Sequence, residues 1–577
     1  MSQRTNGSTI CRRWPRSEPG DLASGAAAQG FVAMPIMPTF RQAHVRSSHR
    51  AFFLDRGEYW TLPLAVGALY PQVRFRTSSS VTPERASLNQ LAVSPNSKLT
   101  GAYYTPPDVV ESLVRWATKD SETAVLLDPS CGDGRFIERR TGAVGVDVDR
   151  KAAAIASDRC PRATIVNGDF FQWAHAAPPR FDAVAGNPPF IRYQRFAGEE
   201  RERALEYCAS RGVALSALSS SWAFFVIAAS SLLKPGGRLA FVVPCEIGYA
   251  VYARPVLRYL LASFARVELL APRTKLFPEL SEECWLLRCD GYSGSAHSLC
   301  LKEALRFEGT ETKWESKTIS LNELEAEAWR IRPFLLPRKV RQLYETLKFD
   351  ECVHQLGDLA DVGIGYVSGA NQFFHLRPSR ATELGIPSRF LRPTVRSNRD
   401  LNTDDVNAGV VRRWLAADRA ALLLNLPANA QLPSAVGRYL DTAAARAAKL
   451  GYKCRGRNPW YAVPDVRTPD AFLSIMADQG PRLVGNSAKC TCTNSIHAVK
   501  LKNGVPLGRL LKAWHSPLTQ LSSEVEGHHL GGGMLKVEPN EAKRILVPIK
   551  RPFLPEEREL LERGLQTLRS WRHALAS

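Results

Sequence analysis

The chain has 577 residues, too many for one compact core, so two or three domains are expected. Hydrophobic residues make up 45% and charged residues 23%, ordinary globular proportions that exclude a wholly disordered chain. Lys and Arg outnumber Asp and Glu by 76 to 56, and the net +20 favours a polyanionic partner, nucleic acid before an anionic membrane surface, although a basic surface can also be inert.

No apolar run reaches the ~18 residues of a membrane span. The longest candidate, Trp222 to Leu233, is short and contains serines, so it is read as a buried helix and no membrane role is expected. The N-terminus carries basic residues with no apolar stretch behind them, unlike a secretory signal. The 12 scattered cysteines suit a reducing cytoplasm better than a disulfide framework.

Residues 1–95 are rich in Ser, Arg, Ala and Pro and hold neither a 3.6 nor a 2 period. They are read as a poorly ordered extension, with some local structure around Tyr59 to Tyr70 and two alternative starts at Met34 and Met37. The next stretch, a domain placed at 96–292, alternates short apolar runs with helical segments such as Asp108 to Thr118 and Ser220 to Leu233. The runs are 124–128, 143–149, 163–169, 181–189, 236–244, 266–272 and 283–291. This alternation predicts an α/β domain built on a mostly parallel seven-stranded sheet. The last two runs are joined by a loop too short for a crossover helix, so they are expected to pair as a hairpin and add an antiparallel strand. Residues 293–350 look charged and helix-compatible, a connector, and 351–577 are read as a separate α+β domain.

The first run ends in Asp128-Pro129-Ser130-Cys131-Gly132-Asp133-Gly134. A tight small-residue turn after the first strand is where an α/β sheet receives a nucleotide-like ligand, and the missing GxGxxG spacing disfavours a dinucleotide. Asp147 ends the second run, where a carboxylate can accept from both ribose hydroxyls. Asp169 ends the third and could accept from an adenine amino group; each such Asp can equally be a helix N-cap. Asn187-Pro188-Pro189-Phe190 follows the fourth run. Consecutive prolines stiffen the corner and remove two donors, so the Asn187 amide oxygen and the Pro188 carbonyl form a two-acceptor pocket for an NH2 group. Phe190 offers a flat face to a planar base. Standing alone, the tetrapeptide would read as a plain turn.

DPSCGDG, VGVDVD, NGDFF and NPPF, in this order, resemble the S-adenosylmethionine-dependent amino-methyltransferases. Gly101 to Pro107, GAYYTPP, looks like the motif preceding the cofactor motifs in the gamma class of DNA adenine-N6 methyltransferases, the TaqI-like group of restriction-modification systems. That resemblance implies Thr105 at the cofactor's methionine end. It implies Asp128, Pro129, Ser130, Cys131 and Gly132 in the cofactor turn, Asp147 on the ribose, and Asp169 with Pro189 around its adenine. It further implies Asn187 and Pro188 on the target amine, with Phe190 and Phe277 stacking on a flipped base. Two spellings depart from the commonest pattern, Asp147 for Glu and Phe190 for Tyr, and both keep the chemistry. Asn187 would draw the target nitrogen toward sp3 character during direct transfer.

Val362 to Phe374 is similar to the start of the gamma-class recognition region, and Gly527 to Lys536 to a C-terminal family element. Arg455, Arg457, Trp460 and Tyr461 mix cations with aromatics and are candidate DNA contacts, against the reading of a surface loop or buried aromatic pair. Cys454, Cys490, Cys492 and His497 lack the spacing of a zinc ribbon or finger, so no metal is expected. The expected partner is double-stranded DNA, met by a monomer, with a cognate restriction endonuclease encoded nearby. Other readings stay open: methylation of an RNA amine or a protein Gln, a non-catalytic DNA-recognition subunit, or a nuclease fusion, for which residues 1–95 offer no metal site.

Overall fold

The computed structural model describes residues 104–278, 280, 283–530 and 532–573. The expectations for residues 1–95, for Gly101 to Tyr103 and for Gly531 fall outside the described residues. Those described belong to one compact unit.

Helix α1 (Pro107–Thr118) starts on a proline, carries Asp108 in its first turn and stops at Lys119 in the left-handed region. Its apolar face, Val109, Leu113, Val114 and Ala117, is buried on the sheet. Strands β1 (Leu126–Asp128), β2 (Val144–Asp147), β3 (Thr164–Asn167), β4 (Phe181–Gly186) and β5 (Leu233–Pro244) pair in parallel. Between them run α2 (Arg150–Arg159), α3 (Phe170–Ala176), α4 (Glu199–Ser210) and α5 (Ser221–Ser230). Helix α5 is buried along its whole length, as its unbroken apolar sequence requires. After α6 (Arg254–Ser263), strands β6 (Phe264–Pro272) and β7 (Cys284–Tyr292) form the expected antiparallel pair. β7 inserts between β5 and β6 and runs antiparallel to both.

The sheet is wider than the expected seven strands. Its order is β3-β2-β1-β4-β5-β7-β6-β8-β9, where β8 (Ser298–Ala304) runs parallel to β6 and β9 (Glu315–Ser320) antiparallel to β8. This corrects the reading of 293–350 as a helix-compatible connector. Charge on these strands is paired across the sheet: Lys302 meets Glu268 at 3.0 Å, and Lys317 meets Glu303. Leu299, Leu301 and Ile319 point into the core. Helix returns at Leu321–Ala326 and α7 (Arg338–Lys348).

The rest is α+β, as expected. One four-stranded sheet orders Ala360–Ile364, Ile496–Leu501, Ala471–Ser474 and Leu483–Gly485; another orders His375–Leu376, Leu422–Leu424, Leu391–Val395 and Thr491–Cys492. Two later helices, α8 (Pro517–Glu526) and α9 (Pro555–Arg572), pack with α7 beside the nine-stranded sheet, so Tyr344, Leu347, Leu521, Leu561 and Trp571 share the large core with β4 and β5. Among the described residues no helix is long and apolar enough to cross a membrane.

Candidate active site

Strand order reverses between β1 and β4, the place where an open α/β sheet leaves a crevice at its carboxyl edge. Asp128 and Asn187 stand at that edge because β1 and β4 are neighbours. Asp128 is 1% exposed. Its Oδ1 accepts from the Ser130 N–H at 3.1 Å, while Oδ2 has no hydrogen-bond partner. Burial pushes this carboxyl up to about 8, and the charges of Asp147 and Asp133 add to the effect against the Ser130 N–H. Gly186, closing β4, has to be glycine: a Cβ there would sit 2.6 Å from Asp128 Oδ1.

Gly132 lies in the left-handed region at φ +53° and gives its N–H to Asp147 Oδ2 at 2.8 Å. Asp147 Oδ1 accepts from the Asp149 N–H at 2.8 Å, and burial raises its pKa above the ordinary value. Pro129 is buried, and the Cys131 N–H donates to Val146 O at 2.9 Å, locking the turn onto β2. Ser130 Oγ donates to the Asn187 carbonyl at 3.4 Å and joins this turn to the proline corner. Asp169 is the N-cap of α3, accepting from the Phe171 and Gln172 N–H groups at 2.7 and 3.1 Å, and its Oδ2 is paired with Arg203 at 2.7 Å. The helix-cap reading therefore describes Asp169 as folded, with both oxygens already engaged.

The proline corner is held from two sides. Asn187 Nδ2 donates to Thr105 Oγ1 at 3.2 Å, and Thr105 is 3% exposed. Ser221, the first residue of α5, donates from its hydroxyl to the Pro189 carbonyl and accepts the Ile191 N–H at 2.9 Å. Pro188 is buried and Phe190 half-buried, lodged where the two large core clusters meet. Phe277 is 2% exposed, enclosed with Leu276, Leu280 and Cys284. A fully enclosed ring presents no face for stacking, so as folded only Phe190 of the two offers one.

Thr105, Asp128, Ser130, Gly132, Asp147 and Asn187 come together at the carboxyl edge of β1, β2 and β4. It does not bring the C-terminal candidates into a free basic patch. Arg457 donates to the carbonyls of Val367 and Ser368 at 2.6 and 2.8 Å. Trp460 packs on Phe373 at 5.5 Å between centroids and on Tyr461 at 6.0 Å. Arg455 alone of the four is exposed. A basic cavity lies elsewhere, lined by Arg377, Arg380 and Arg396 with His375, which burial lowers to about 4 and keeps neutral. Sequence reading missed it because its arginines come from separate elements with no local signature. His528–Leu530 pairs antiparallel with Met534–Lys536, and Tyr249 stacks on His528 at 5.5 Å. Cys454, Cys492 and His497 each have a separate main-chain partner, at Ser368, Ile496 and Val537, and Cys490 is buried. No group of three or more potential metal ligands occurs among the described residues.

Residues 144–269 match the family described as Eco57I restriction-modification methylase, and residues 328–576 the Type II methyltransferase M.Eco57I, C-terminal domain. The chain belongs to the restriction-modification DNA methyltransferases. Within this family it is similar to the Type II methyltransferase M.XamI of Xanthomonas campestris pv. amaranthicola, 24% identical over 78% of this chain and 85% of that one. It is also similar to M.AccI of Acinetobacter calcoaceticus, at 18% over 77% and 84%. Among solved structures it is similar to the Type IIL restriction-modification enzyme MmeI in complex with DNA, with a TM-score of 0.48, 12% identity, and 80% of this methyltransferase and 70% of that chain covered. It is similar too to the type IIG restriction endonuclease BpuSI, with a TM-score of 0.37, 15% identity and 80% coverage, spanning 61% of that chain.

Proposed function

We propose that this methyltransferase moves a methyl group from S-adenosylmethionine to the N6 amine of an adenine everted from double-stranded DNA. It would do so as the gamma-class modification enzyme of a restriction-modification system, protecting sites from a cognate endonuclease. The observation that carries the reading is the Asn187 amide, pinned by Thr105 on a proline-stiffened corner beside the unpartnered, buried oxygen of Asp128.

The residues fit the cofactor. A buried carboxylate oxygen with no partner is an acceptor waiting for a donor, and an ammonium satisfies it. Asp147, at the end of β2, would receive ribose hydroxyls beside the left-handed Gly132 turn. When bound, S-adenosylmethionine supplies a methyl carbon on a sulfonium, electrophilic enough to need no covalent enzyme intermediate. Thr105 holds Asn187 Nδ2, which turns Oδ1 away as the acceptor for the target N–H. That grip, with the Pro188 carbonyl, favours a tetrahedral nitrogen and so stabilises the transition state more than the ground state. Asn187 Oδ1 and the Pro188 carbonyl would hold both N–H groups of the amine while it takes the methyl that the sulfonium would supply, and the surplus proton would leave to water. N6 of a stacked adenine cannot reach such a crevice, hence the eversion. Residues 351–577 would read the target, with Arg377, Arg380, Arg396 and Arg455 toward phosphates.

Methylation-sensitive sequencing of DNA from cells expressing the chain tests the whole reading, and should return one N6-methylated adenine in a fixed sequence. Labelled-methyl transfer should favour duplex DNA over ribosomal RNA and release factor. Asn187→Ala should abolish transfer while cofactor binding, read by calorimetry, survives; near-normal methylation by that variant would remove Asn187 from the mechanism.

A further inference from the structure

The reaction above makes no use of the residues that follow its corner. Ile191 is clamped on α5, its N–H donating to Ser221 Oγ at 2.9 Å and its carbonyl accepting the Ser221 N–H at 3.0 Å. Phe196 is 2% exposed and lies against Phe224, 5.6 Å between centroids. Between these anchors the chain makes a tight turn in which the N–H groups of Arg195 and Phe196 both donate to the Arg192 carbonyl, at 2.9 and 3.0 Å. Arg201, on α4, donates to the carbonyls of Tyr193 and Phe196 at 3.4 Å each. The backbone is thus tied down at both ends and braced from the side.

The side chains of Arg192, Tyr193, Gln194 and Arg195 nevertheless stay exposed, and Tyr193 keeps 36% of its surface. The exposed part of that ring, on a braced turn, is free to meet a partner. The same ring has a use beside DNA. Everting a base costs unstacking and leaves a gap in the duplex, and a flat side chain that fills the gap restores stacking. Arginines on either side of the ring suit the phosphates that flank it. The turn follows directly on the corner that would hold the everted amine, so ring and pocket address the same nucleotide.

We propose that Tyr193 is a positioning residue that enters the duplex and stacks in the place of the everted adenine, with Arg192 and Arg195 on the neighbouring phosphates. This rests on the adenine-N6 reading above. The test uses the full chain, its target site as found by sequencing, and two duplexes. One is fully paired; in the other the thymine opposite the target adenine is replaced by an abasic residue, which lowers the cost of eversion. Tyr193→Ala should lose roughly tenfold to a hundredfold in kcat/KM on the paired duplex, the worth of one stacked ring. On the abasic duplex it should come within about threefold of the wild type, and Tyr193→Phe should behave as the wild type on both. Equal losses by Tyr193→Ala on the two duplexes, or no loss on either, would overturn the proposal. Failure of the underlying reading is distinct: the wild type itself would then methylate adenine in neither duplex.

Discussion

Asp128 shows how one buried oxygen ties binding to pH. Its carboxyl is raised from the ordinary 3.8 to about 8, so at pH 7 most of it carries a proton. Accepting an ammonium needs the carboxylate, so cofactor binding at pH 7 should release close to one proton, and affinity should rise with pH and level off above about 8. In the free enzyme the folded state keeps a proton that the unfolded chain loses near 3.8, so this group lowers stability as pH climbs from about 4 to 8. Calorimetry in two buffers of different ionisation enthalpy reads the proton directly. Asp128→Asn should remove the release and weaken binding by about tenfold or more, the worth of a charge-assisted hydrogen bond. Affinity that stays flat from pH 6.5 to 9 would mean this oxygen does not meet the ammonium. The position of Asp128 was legible because a strand end is fixed by its apolar run. The contact of Thr105 with Asn187 was not, because it spans 82 residues of sequence and only the fold makes it.

At the scale of elements, the corner depends on α5 more than on its own prolines. Ser221 is fully buried, and its hydroxyl serves the Pro189 carbonyl and the Ile191 N–H together. Ser221→Ala leaves two partly buried main-chain groups without that partner, a cost of about 1 kcal/mol or more. We expect kcat to fall while the cofactor dissociation constant holds, since the Asp128 turn belongs to β1. A drop in urea midpoint with kcat unchanged would show that the corner keeps its shape without the serine. Strands β1 to β7 could be read from the chain because each carries an apolar run bounded by turn residues, even where single charges such as Glu268 and Arg288 interrupt it. Strands β8 and β9 could not, because Lys302, Glu303 and Lys317 occupy them, and their neutralisation across the sheet is invisible to local pattern. Asp169 and Trp460 teach the same lesson from the other side. The residue type was right for a ligand, and the neighbourhood used it for a helix cap and an aromatic cluster.

At the scale of the whole molecule, one buried charge ties the segment that follows the nine-stranded sheet to the C-terminal helices. Glu524 on α8 is 0% exposed and meets Arg332 at 3.0 Å, Arg572 of α9 at 2.8 Å and Arg569 at 3.5 Å. Arg332 also donates to the Gly527 carbonyl at 2.8 Å, and Arg572 donates to that of Gly533, so the same ions hold the chain just before each strand of the His528–Leu530 and Met534–Lys536 pair. Arg332 and Arg572 are themselves buried, so the carboxylate is what balances them. Glu524→Gln keeps the shape and removes the charge. Breaking a buried pair from one side typically costs about 3–5 kcal/mol, because the stranded guanidiniums stay out of water. The urea midpoint should fall by a corresponding margin, and the amides of His528–Leu530 and Met534–Lys536 should gain hydrogen exchange ahead of the β4 and β5 amides. Arg115→Gln, which removes a solvent-exposed pair with Asp120, should leave the midpoint where it was. If Glu524→Gln also left it unmoved, water would have to reach these arginines, and apolar packing of α7, α8 and α9 would be what joins the two parts.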